Sequence, residues 1–279
     1  MTGRSVAQDA ELALLLEVTG TPKPGNVDRA HDHDDLRFEH FVAGAVGARP
    51  GLERAADGER VGRVFERAVA GMAQQSAGNT QFGALLVLAP LVAAAHDDAL
   101  TPAGVDEVVG GTTVADAADF YRAFEHVDVA VDDPPSGLEP LDVRRGVDAI
   151  PAIEQRGLTL FDVMERSADV DGVAAEWVGG FERVFDAAER ITDRDGPVPD
   201  RGATVFLELL AEEPDTFVVK QADRETAAMV QRRAQSVLDG EAGAAELADD
   251  LVDRGINPGT TADLIAGALF VALQRGVEV

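Results

Sequence analysis

The sequence predicts an all-α fold, a single multi-helix globular domain of roughly twelve helices spanning residues 1–279. Apolar residues recur at three- and four-residue spacing along most of the chain, the period of a helix with one buried face. No run alternates apolar and polar residues long enough to make a strand. The densest Pro, Gly and Asp punctuation falls between the periodic stretches, at Pro22 and Pro24, at 132–135 and at 196–199.

Taken in order, the first group of predicted helices covers 7–18, 38–48, 60–75 and 80–96, each an Ala/Leu/Val face. The second covers 114–126, 141–155, 159–167 and 173–191. The last covers 203–212, 224–238, 244–254 and 260–274. The stretch 128–139 is the most plausible hinge or excursion, and candidate motifs lie on both sides of it. That arrangement predicts one domain with a shared cleft.

Charge narrows the partners. The net charge is −27, from 51 acidic against 24 basic residues, and only Lys23 and Lys220 are lysines. Such a surface repels nucleic-acid phosphates and anionic membranes, so neither is expected as a partner. The acid excess reads as adaptation to a salty cytoplasm, where salt screens the mutual repulsion of carboxylates. Stability is therefore expected to fall in low salt; a melting temperature equal in molar and millimolar salt would contradict this.

The chain has no cysteine, which excludes disulfides, thiolate nucleophiles and thiolate-ligated metals. The N-terminal 18 residues resemble neither a signal peptide nor a spanning helix, and the longest apolar stretch, 84–95, is too short for a bilayer. A cytoplasmic location is the expectation. A homodimer is one outcome for an apolar helix face left over from the bundle.

The densest candidate chemistry lies in TPKPGNVDRAHDHDD, residues 21–35. Two prolines stiffen the backbone around Lys23, and Asp28, Arg29, His31, His33 and Asp35 follow. A rigid cation beside carboxylates and imidazoles suits a triphosphate and its magnesium ion. Read structurally, the same residues make an acidic turn leading into a helix. GNTQFG, residues 78–83, opens a helix with Asn79 or Thr80 as cap, and its amides could also meet an anion or a base edge. Glu213-Pro214-Asp215-Thr216 reads as a helix stop and turn. Asn257-Pro258-Gly259-Thr260-Thr261-Ala262-Asp263 starts the last helix with a near capping box. His40 lies about one turn beyond the strip, and His96 and His126 end helices. No phosphate-binding Gly-Lys loop, dinucleotide fingerprint or nucleophile elbow is present.

In this order the pieces resemble the triphosphoribosyl-dephospho-CoA synthase family. TPKPGNVDR, HDHDDL, GNTQFG, EPDTF and NPGTTADLI stand where that family carries TPKPGLVD-, GAHxDM-, GxNTHKG-, NPDTN- and SPGGSADLL-like elements. The resemblance implies an all-α ATP-binding fold and a pentosyltransferase. ATP would release adenine, and its triphosphoribosyl group would pass to the 2′-hydroxyl of 3′-dephospho-CoA, giving a prosthetic-group precursor. Carried over by motif, it implies His33, Asp35 and Asp28 as catalytic, with Asp28 and Asp35 also as magnesium ligands. It implies Lys23, Arg29, Asn79, Thr80, Gln81, Asp215 and Asp263 as nucleotide-binding.

Two departures stand out: Gln81 and Phe82 occupy the family's His and Lys positions, and His31-Asp32 replaces its Gly-Ala pair. They keep open a nucleotide-binding descendant with an altered acceptor or no turnover. The His33-Asp34 doublet keeps open a metal-dependent phosphohydrolase.

Overall fold

The computed structural model describes residues 3–131, 133–134 and 137–279. Among the described residues there is no strand, and fifteen α-helices and three short 3-10 segments follow one another. The first five helices are α1 (Val6–Thr19), α2 (Phe38–Leu52), α3 (Val61–Met72), α4 (Phe82–His96) and α5 (Pro102–Gly110). Next come α6 (Val114–Ala123), α7 (Ile150–Arg156), α8 (Leu160–Ser167), α9 (Gly172–Val178) and α10 (Glu182–Thr192). The chain ends with α11 (Val198–Glu212), α12 (Thr216–Gln221), α13 (Arg224–Leu238), α14 (Ala244–Asp253) and α15 (Gly259–Gln274).

The count exceeds the expected twelve or so for local reasons. Residues 173–191 are two helices because Gly180 and Phe181 both take positive φ and reverse the chain. Residues 141–155 break likewise: Gly146 has φ 49°, so a 3-10 segment precedes α7, which has proline in its first turn. Helix α5 carries too few apolar residues to show a period, yet Thr101 caps it by accepting from the Gly104 amide and Pro102 follows at its start. Helix α12 lies where a turn was expected and begins with an Asp215 cap.

Helices α4 and α15 explain why the rest is arranged as it is. Both are apolar around nearly their whole circumference, which demands burial on all sides. They pack on each other, with α1, α3, α10 and α11 around them. Their N-termini, residues 78–83 and 257–263, therefore open at the same end of the core. No described helix is long and apolar enough to cross a membrane.

Candidate active site

The strip 21–35 docks onto the start of α15. Gly25 has φ 77°, and a Cβ there would lie 2.3 Å from the Ile256 carbonyl oxygen, so only glycine allows this approach. Beside it the Asn26 amide donates to Asn257 Oδ1 (2.9 Å) and to the Pro258 carbonyl (3.2 Å). His33 Nε2 donates to the Gly25 carbonyl at 2.9 Å, which commits that nitrogen to holding the turn.

Lys23 is buried and ion-pairs Glu17 of α1, itself buried. Burial pushes the Glu17 carboxyl up, and the Lys23 ammonium pulls it part of the way back. Asp28 is also buried. One oxygen accepts from the Lys23 amide at 3.0 Å; the other accepts from the Ala30 amide (2.7 Å), the His31 amide (3.0 Å) and His31 Nδ1 (2.9 Å). These contacts make Asp28 the knot of the loop. Burial lowers the His31 pKa, but its bonds to Asp28 and Asp249 outweigh that and raise it.

The other motifs meet at the same end. Asp215 caps α12 by accepting from the Phe217 and Val218 amides, and its second oxygen accepts from the Thr261 amide (2.8 Å) and hydroxyl (2.7 Å). Thr216 and Thr260 hydroxyls pair at 2.9 Å. Asp263 lies against the start of α4, where a Cβ on Gly83 would come within 2.0 Å of Asp263 Oδ2. The N-cap of α4 is Gln81 rather than Asn79 or Thr80, and the Asn79 side-chain oxygen accepts from the Phe82 amide at 3.1 Å. The Thr80 hydroxyl and both polar atoms of Gln81 are buried without a partner among the described residues.

These elements bound a cavity of about 360 Å³. One part of its wall is polar: Glu17, Asn26, Asn79, Thr80, Gln81, Asp171, Lys220 and Asp263. Another is apolar and aromatic, including Phe82, Phe120, Phe124, Leu138 and Met164. Lys220 ion-pairs Asp171, the N-cap of α9. The molecule's two lysines thus both serve carboxylates that line this cavity. Arg166 stands at its exposed rim with no carboxylate in ion-pair range among the described residues.

Of the residues singled out in the sequence, Asn79, Thr80, Gln81 and Asp263 line the cavity. Lys23 backs Glu17, and Asp215 braces α12 and α15 from behind. Asp28 and His33 hold the loop. Arg29 and Asp35 are exposed, with Arg29 nearest Asp200 at 3.7 Å. Among the described residues no three His, Asp or Glu side chains gather to hold a metal, and the predicted magnesium pair Asp28 and Asp35 belongs to no such group. The predicted hinge includes Asp132, Pro135 and Ser136, outside the described residues; its neighbours Val129, Val131 and Pro134 line the cavity. Sequence reasoning gave no site role to Glu17, Asn26, Arg166, Asp171 or Lys220, and read Asn257 only as part of the motif that starts the last helix. The rarity of lysine was the signal that could have found Lys220.

Fold and site together define an all-α protein with a nucleotide-sized cleft whose charged walls are braced by two lysine–carboxylate pairs, Lys23–Glu17 buried and Lys220–Asp171 half-buried. The chain belongs to the ATP:dephospho-CoA triphosphoribosyl transferase family, whose model matches residues 3–278. It is 26% identical to the 2-(5″-triphosphoribosyl)-3′-dephosphocoenzyme-A synthase of Klebsiella pneumoniae, over 98% of this chain and 91% of that protein. It is 28% identical to a protein of Albidiferax ferrireducens named as a probable synthase of the same kind, over 97% of this chain and 90% of that one. A crystal structure from Archaeoglobus fulgidus, provisionally assigned as a triphosphoribosyl-dephospho-CoA synthase, superposes with a TM-score of 0.68. That match has 25% identity and covers 85% of this chain and 99% of that one.

Proposed function

We propose that the chain moves the triphosphoribosyl group of ATP to the 2′-hydroxyl of 3′-dephospho-CoA and releases adenine. The observation that carries this reading is the convergence of the family's separated motifs on one cavity, in a chain the family model matches over residues 3–278. The polar wall offers what the ATP half requires. Arg166 supplies positive charge for the triphosphate. Magnesium arrives with the triphosphate, which provides much of its oxygen coordination. The unpartnered Thr80 hydroxyl and Gln81 amide supply donors and an acceptor for the edge of a base. The aromatic wall suits an adenine ring or the pantetheine arm of the acceptor.

Incubation with ATP, magnesium and dephospho-CoA in molar salt, followed by chromatography for free adenine, tests the reading. Adenine that appears only with the acceptor is the expected result; ADP or AMP without adenine would reject it. The second reading, a family member that binds ATP without turnover, is favoured by one feature. Phe82, at the family's lysine position, is packed edge-on against Phe65 (5.0 Å) and Phe124 (4.9 Å), so no cation reaches the cavity from there. That reading predicts ATP binding and no adenine.

A further inference from the structure

Five carboxylates line the cavity, and four of them are paired. Glu17 meets Lys23, Asp171 meets Lys220, and Asp133 and Asp142 both meet Arg144. Asp263 alone has no cation in ion-pair range and no side-chain partner among the described residues; the Ala84 backbone amide at the start of α4 lies against its carboxyl. Its place is nevertheless built: α15 carries it to the mouth of α4, and residue 83 must be glycine for the carboxyl to fit.

Resting on the transferase reading above, we propose that Asp263 is the general acid that protonates the departing adenine.

The charged groups acting on Asp263 come from three neighbouring elements. Glu17 projects from α1 with Lys23 behind it, Asp171 precedes α9 with Lys220 against it, and Asp215 precedes α12. The two lysines are spent on Glu17 and Asp171. Burial first, and then the negative charge of Glu17, Asp215 and Asp171, push the Asp263 carboxyl well above the usual range. That setting favours the protonated form of the carboxyl, which presents an O–H donor, as a general acid must.

The step balances as follows. The ribose C1′–N9 bond breaks and its electron pair leaves with adenine, while the Asp263 proton passes to a ring nitrogen of that base. The acceptor 2′-hydroxyl oxygen bonds to C1′ and gives its proton to a second carboxylate, for which Asp171 is the group at hand. Exchange with solvent returns the proton to Asp263. Nothing is oxidised or reduced.

Adenine release by the full chain, with magnesium and dephospho-CoA in high salt, would be followed against pH with two donors. One is ATP. The other is 7-methyl-ATP, whose base already carries a positive charge and departs without an acid. For the unaltered protein the ATP rate should fall as pH rises while the 7-methyl-ATP rate does not; parallel profiles would overturn the assignment. Asp263→Asn should lose about 100-fold or more on ATP and become flat with pH, yet stay within several-fold of the parent on 7-methyl-ATP. Equal loss on both donors would make Asp263 a structural residue and overturn the assignment. Full ATP turnover in the variant would also overturn it. Adenine released from neither donor by the unaltered protein would instead sink the transferase reading, and this assignment with it.

Discussion

Between Asp28 and Asp35 the chain packs four aspartates and two histidines into eight positions, whereas Glu17, Asp171, Asp215 and Asp263 are scattered from the first helix to the last. The dense group spreads out in space. Asp28 is consumed by its own loop, Asp32 accepts from the Phe38 amide, and Asp32, Asp34 and Asp35 face solvent. The scattered group gathers at one end of the core, where the N-termini of α4, α9, α12 and α15 meet. In a chain this acidic, local density of carboxylates reports composition. Convergence of distant helix ends on one cavity reports a site.

Breaking the buried side of this comparison should have the largest effect. Lys23→Met leaves Glu17 buried without its cation, and loss of one partner of a buried pair costs about 3–5 kcal/mol. Urea unfolding would check this, and a change below ~1 kcal/mol would show that water reaches Glu17 freely. Asp215→Ala comes next. It strips a cap and both bonds from Thr261, at about 2–3 kcal/mol. It should also lower adenine release, because Asp263 and Lys220 lie on the helices it ties together.

The exposed side should respond less. His31 has a raised pKa in the folded state, so its bonds to Asp28 and Asp249 stabilise fully below the unfolded value and fade as pH rises through the folded one. His31→Gln should therefore lower the melting temperature more at pH 6 than at pH 9; the reverse order would contradict the pairing. The smallest effect belongs to Asp35→Ala. An exposed side chain off the cavity should change stability by no more than ~0.5 kcal/mol and leave turnover within about two-fold. A severe loss there would return the chemistry to the acidic loop.

What the sequence disclosed follows the range of the forces involved. Helix period is local, so most elements were legible, and the misses fall where local signals conflict. Gly179, Gly180 and Phe181 break an otherwise continuous apolar face. Helix α5 carries caps but little hydrophobic pattern. In the site, Asn79, Thr80, Gln81 and Asp263 were legible only as motifs in series. Glu17 and Arg166 sit on, and Asp171 caps, helices that resemble any other acidic helix of this chain. Their role depends on which helix ends share the cavity, a consequence of α4 and α15 being buried on every side.

Hydrogen exchange with ATP, magnesium and dephospho-CoA bound tests most directly where the molecule works. The account predicts slowed exchange at residues 81–84, 172–175 and 259–263, with none at 30–35. Protection confined to 30–35, with the three helix starts unchanged, would contradict it.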